Sequence, residues 1–312
     1  MRISLIGVSF ATTLVTACSS SNAMTGLNPH APTELTARSL GTSDSTVLHR
    51  KRVKQRLYVS DAQLSVIYIF ALPSFESLGE ITSGISNPEG IATDKNGNLY
   101  VSNWGNDSVT VYKPGKTRPY LTLTGAPYSP ADVAVADNGY VFAGDVGGGV
   151  DVYPPGATSP RTRLVNPAIA RVGGVGVDAS NNVYAGGLAP SERSGVVVEY
   201  SNMSGSGVNL RLNGLLSPTG VFIDNLGNIV VTDDANWLID IYPPGQTTPS
   251  STIAISNPGT PGINKAENTL YVPQLGPSLS ILSYPGGSQI GSIGFGSGSY
   301  VWGAALSPPA KP

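Results

Sequence analysis

Oxygen donors and indoles are the side chains of this 312-residue chain most suited to chemistry. Glu89, Asn103, Asp145 and Asp233, with Asp132 near them, are hard ligands of the kind calcium takes, and a carboxylate can also move a proton. Three tryptophans, Trp104, Trp237 and Trp302, are all that the chain has; an indole offers a flat apolar face with one polar edge. Imidazole is the tighter constraint. The only histidines, His30 and His49, precede the periodic part of the chain, so that part has no Ser-His-Asp or Cys-His arrangement. Catalysis there would have to use carboxylates, tyrosine, lysine or a metal-bound water. Glycine clusters such as Gly147-Gly148-Gly149 lack the Lys-Ser/Thr of a phosphate loop. A net charge of −2 supplies no basic field, which argues against nucleic acid as a partner.

These residues sit in a repeated phrase. "NLYVSN" at 98–103 returns as "RLYVSD", "YVFAGD", "NVYAGG", "NIVVTD" and "TLYVPQ", placing Tyr58, Tyr100, Phe142, Tyr184, Val230 and Tyr271 at like positions, 41 to 46 residues apart. An apolar strand such as "PEGIATD" precedes most of them, an alternating strand such as "SVTVYKPG" follows, and a weaker strand such as "YLTLT" closes the unit. The alternation is that of half-buried strands, and Pro-Gly pairs punctuate them as turns. Four strands every 40 to 45 residues is the period of a propeller blade. The array opens in the second strand of a blade at Arg56 and ends with an orphan first strand at 299–307. The expected fold is therefore an all-β, six-bladed β-propeller over 53–309, closed by the C-terminal strand completing the N-terminal blade. Only 12% of residues are charged, 38 are Gly and 25 are Pro, while 40% are hydrophobic. That balance suits many short strands and turns.

"PEGIATDKNGNLYVSN" and "PTGVFIDNLGNIVVTD" resemble the NHL repeat, over roughly 56–307, with the units near Arg171 and Pro258 more degenerate. The resemblance places the chain beside NHL and gluconolactonase-like propellers. There, ligands sit at the channel mouth formed by the starts of the first strands and the loops between the second and third. It implies that Glu89, Asn103, Asp145, Asp233 and the three tryptophans ring that mouth. Glu89-Gly90 also resembles the start of the Glu-Gly-Pro element with which gluconolactonase-like enzymes hold a divalent metal, although Ile91 stands in place of Pro. In that reading Glu89, Asn103 and Asp233, or Asp132, hold calcium for a lactonase-like hydrolysis. The related lyases that depend on histidine are not matched. Asp61, Asp145 and Asp233 are better suited to accepting amide hydrogens in the turn after each second strand, and the indoles to packing. Two functions stay open: a binding module for a glycan, peptide or protein, with no cofactor, or the metal-dependent hydrolase. A plain envelope scaffold is the third reading.

The N-terminus is of another kind. Residues 1–17, with Arg2 ahead of a short apolar run, read as an export signal. Val15-Thr16-Ala17-Cys18 resembles the bacterial lipobox, with the only cysteine of the chain as its lipidated residue. Ser19 after it favours the outer membrane. The Ser/Thr/Asn/Pro-rich stretch through residue 52 reads as a flexible tether, with basic residues at its end.

Overall fold

A computed structural model describes residues 34–36 and 55–308 of the protein. The export signal, Cys18, both histidines and most of the expected tether lie outside the described residues. Six antiparallel sheets form the ring. Blade 1 combines Val301–Ser307, innermost, with Gln55–Asp61, Val66–Leu72 and Glu76–Ile81; blade 2 runs Pro88–Thr93, Leu99–Asn103, Ser108–Tyr112, Leu121–Leu123. Blade 3 holds Pro130–Val135, Val141–Asp145, Gly149–Tyr153 and Thr162–Val165, and blade 4 Arg171–Val177, Val183–Leu188, Gly195–Tyr200 and Val208–Asn209. Blade 5 is Pro218–Ile223, Ile229–Asp233, Leu238–Tyr242, Ser251–Ala254; blade 6 is Gly262–Ile263, Thr269–Pro273, Ser278–Ser283, Gln289–Gly294.

The repeated phrase folds this way for local reasons. Its acidic residue caps the hairpin between the first two strands: Asp94 Oδ1 accepts the amides of Asn96 (2.9 Å) and Asn98 (2.8 Å). Asp178 and Asp224 do the same in their own blades. Gly97 takes φ +81°, a left-handed turn conformation that a side chain would resist. At the other end of the first strand the ladder slips in blades 1 to 5, where two residues face one on the second strand. Such a bulge re-aims the side chains beside it. Glu89, Thr219 and Trp302 stand at these bulges, so an irregularity repeated for backbone reasons positions the mouth residues.

The core lies between blades rather than inside one. Six apolar clusters each join two neighbours, for example Phe142, Val150 and Leu164 of blade 3 against Val172, Val175 and Val198 of blade 4. Tyr58 and Ile69 meet Ile91 and Val101 across the seam of blades 1 and 2, and Val230 and Ile241 meet Leu270 and Leu282 across that of blades 5 and 6. Each fully buried aliphatic side chain contributes roughly 1.5–3 kcal/mol, so stability requires that all seams be present. In blades 2 and 5 the tyrosine ending the third strand pins its blade to what comes before it. Tyr112 Oη donates to the Ser83 carbonyl and Tyr242 Oη to that of Asn213, each at 2.8 Å.

Ring closure is twofold. Val301–Ser307 pairs antiparallel with Gln55–Asp61, uniting the two ends of the described propeller in one sheet. The backbone of blade 6 also bonds directly to it, Thr260 N donating to Trp302 O at 3.0 Å and Ala304 N to Thr260 O at 2.9 Å. Within the stretch expected as tether, Glu34–Thr36 forms a strand parallel to Gln289–Gly294, at the outer edge of blade 6. The two degenerate phrases correspond to reduced elements, a two-residue fourth strand in blade 4 and a two-residue first strand in blade 6.

Candidate functional site

The mouth at the starts of the first strands gathers Glu89, Trp104, Arg171, Asp234, Tyr300 and Trp302. Glu89 follows Pro88 at the bulge of blade 2. It is buried, and its Oε2 has no hydrogen-bond partner. Burial drives its carboxyl up to about 8; Arg171 opposes the shift and Asp132 adds to it. The Arg171 guanidinium lies 5.6 Å from the centre of the Trp104 ring, a cation–π geometry that holds a positive charge at the rim. Trp302 packs on Tyr300 with ring centres 5.8 Å apart, and its buried Nε1 is unpartnered. Asp234 Oδ1 is in the same condition. Burial raises the Tyr300 hydroxyl, as do the charges of Asp234 and Glu89. Buried polar groups are nearly always paired, and three of the seven unpaired buried side-chain atoms among the described residues lie at this mouth.

The same face carries exposed apolar side chains. Leu64, Tyr128, Leu216, Trp237 and Tyr300 all stand on loops that join second to third strands or lead into first strands, and Trp237 is 55% exposed. The three tryptophans share this end of the ring but do not form one cluster. Trp104 belongs to blade 2, Trp237 to blade 5 and Trp302 to blade 1.

The ends of the second strands have other occupations. Asp233 accepts the amides of Leu216 (2.6 Å), Ser217 (3.0 Å) and Asn236 (3.2 Å), and the side-chain amide of Asn236. Asn103 Oδ1 accepts the Ser86 amide, while its Nδ2 donates to Thr110 Oγ1 and the Val101 carbonyl. Asp145 accepts the Gly147 amide and both terminal nitrogens of Arg163, which also reaches Asp151. Asp61 takes the amides of Leu64 and Tyr300. These four residues tie the loops of the face to the blades beneath. Glu89 and Asp233 stand on blades 2 and 5, three places apart in a ring of six. Among the described residues no three acidic, histidine or cysteine side chains converge in a metal-binding cluster.

Asp132 is the residue whose weight the repeats understate. In the aligned starts Pro88-Glu89-Gly90, Pro218-Thr219-Gly220 and Val301-Trp302-Gly303 the third position is glycine, whereas Pro130-Ala131-Asp132 has an acid there. The structure explains the neighbouring glycine too: a side chain on Gly90 would collide with the Asp132 carboxylate and backbone. Asp132 Oδ2 accepts the Val175 amide at 2.8 Å, bridging blades 3 and 4, and Oδ1 is buried without a partner. Named from the sequence only as an alternative metal ligand, Asp132 is set apart from the other acids by the alignment of the first-strand phrases. Arg171 and Tyr300, a charge and a ring outside the repeated phrase, carry no comparable signal.

No family model and no curated protein matches the chain. Many solved structures do. One, a chain in the crystal structure of a nidogen/laminin complex, aligns with TM-score 0.66 at 13% identity, over 81% of this chain and 98% of that one. At that identity the likeness establishes the fold, a six-bladed β-propeller.

Proposed function

We propose that the protein is a binding module whose mouth at Glu89, Asp234 and Trp302 engages a polypeptide partner. One observation carries the reading: buried polar atoms without partners lie within a face that exposes Leu64, Tyr128, Leu216, Trp237 and Tyr300. Buried acceptors and an indole N–H call for a ligand that supplies hydrogen bonds, and exposed aromatic side chains are the commonest source of interface energy. The apolar residues are spread over blades 1, 3 and 5, a breadth that suits a peptide or protein more than a single sugar. The nidogen/laminin structure supports the reading to the extent that a propeller of this shape occurs in a protein complex. Anchoring belongs to the same proposal: export by residues 1–17, a lipid on Cys18, and the segment up to the propeller holding the module at the outer membrane.

Peptide and glycan arrays probed with the full chain and with Trp237→Ala/Tyr300→Ala test the mouth. Peptide binding that falls at least tenfold in the double variant, with an unchanged melting temperature, is the expected result. Signal on glycans alone, or equal binding by both proteins, refutes it.

A further inference from the structure

At the end of the ring opposite the mouth, a cavity opens along the central first strands. It encloses about 210 Å³, and its walls are the first strands: Ile91, Ala134, Val175, Val221, Ile263 and Ala304. Thr93 and Thr260 interrupt the apolar lining, and one charged side chain stands at depth. Asp132 reaches it from blade 3 with 1% exposure and an unpartnered Oδ1. The far opening lies among the hairpins between first and second strands, where Asp137, Asp178 and Glu267 outnumber Lys95. A carboxylate at the inner end and an acidic opening at the outer end both favour a cation. A dry cavity of about 150 Å³ holds a benzene ring, so this channel accommodates a ring with a short substituent.

We propose that the channel binds a small primary amine with an apolar body, its ammonium on Asp132 and its hydrocarbon against Ile91, Val175 and Val221. The ammonium supplies the hydrogen bond that Oδ1 lacks and an opposite charge for a buried carboxylate. Burial now holds Asp132 up at about 7, against the lowering pull of the Val175 and Val133 amides; a bound cation lowers it further. The site is separate from the mouth reading. It uses other side chains and the other opening, and it stands whether or not the mouth takes a partner.

Benzylamine titrated into the full chain at pH 8, followed by calorimetry, tests it, with benzyl alcohol and methylamine as controls. Expected is saturable one-to-one binding, at least tenfold tighter than either control and at least tenfold weaker in Asp132→Asn, while Trp237→Ala leaves it unchanged. Should Asp132→Asn fail to fold, nuclear Overhauser contacts from the benzylamine ring to the methyls of Ile91, Val175 and Val221 in the wild-type protein decide the location. The proposal is overturned by no saturation, by an affinity for benzyl alcohol equal to that for benzylamine, or by ring contacts only at the mouth. Loss of binding in Trp237→Ala with Asp132→Asn unaffected overturns it too, and assigns the amine to the mouth.

Discussion

Raising the pH should weaken the protein through Glu89, and the size of the effect follows from its surroundings. Its carboxyl moves from an ordinary 4.5 to about 8 on folding, chiefly because burial penalises the ionised form. Below pH 4.5 the group is neutral in both folded and unfolded chains and costs nothing. Above pH 8 it is ionised in both, and the folded state bears the desolvation. At about 1.4 kcal/mol for each pH unit, the full displacement corresponds to about 5 kcal/mol. Stability from this group is therefore complete at acid pH and lost between pH 4.5 and 8. Glu89→Gln keeps the shape and cannot ionise. Urea denaturation of both proteins from pH 4 to 9 should show the variant gaining on wild type across that window, by a few kcal/mol at pH 9. In melting temperature the gap is on the order of 10 °C. Asp132 titrates nearby, but it is present in both proteins, so the difference reports mainly Glu89. Arg171 is exposed and opposes the shift; salt at 1 M screens it and widens the gap. A gap that is flat from pH 4 to 9 would refute the reasoning and show that Glu89 is solvated in the folded mouth.

Other outcomes follow from the same contacts. Phe142→Ala empties a fully buried ring at the seam of blades 3 and 4 and should cost about 3–5 kcal/mol in chemical denaturation. Asp233→Ala strips three amides and the Asn236 side chain of their acceptor, and should lower stability by about 3 kcal/mol in the same assay. Arg163→Met leaves the buried carboxylates of Asp145 and Asp151 facing each other without a cation. Breaking such a buried pair costs about 3–5 kcal/mol at pH 8; the loss should shrink as the pH falls, because burial and the Asp145 charge raise the Asp151 carboxyl and Arg163 no longer opposes them, so Asp151 takes up a proton. Calcium titrated into wild type and Glu89→Ala should give equal dilution heats, since the oxygens of Asn103 and Asp233 are already spent on backbone amides; micromolar binding lost in the variant would restore the hydrolase reading.

The fold was legible because every blade solves the same problem with the same residues. Tyr58, Tyr100, Phe142, Tyr184, Val230 and Tyr271 all face seams. Repetition therefore exposes strand order, blade count and the closing strand at 301–307. Less legible were elements that depend on a single partner: the strand at 34–36 pairs with residues far off at 292–294 and has no repeat to compare with. The phrase near Pro258 looks degenerate where its first strand shortens to Gly262–Ile263 and part of its bonding goes elsewhere. Thr260, for instance, bonds to the backbone of blade 1, across the seam.

The candidate site inverts that logic, because function resides in what the repeat does not share. A repeated acid is mostly a structural acid: Asp94, Asp178 and Asp224 cap hairpins, and Asp61, Asp145 and Asp233 hold loops. Their recurrence reflects one backbone need met several times. Glu89 and Asp132 each occur once at their repeat position, and each is buried with an oxygen unpaired. No backbone requirement common to the blades accounts for them, and both carry an ionisation cost that the fold must offset elsewhere. Which acids are exceptional can be read from aligned phrases. What surrounds them cannot, because the groups that bear on them, Val175 for Asp132 and Arg171 for Glu89, come from blades more than 40 residues away. The search for a ligand should therefore begin at the two carboxyls that break the repeat.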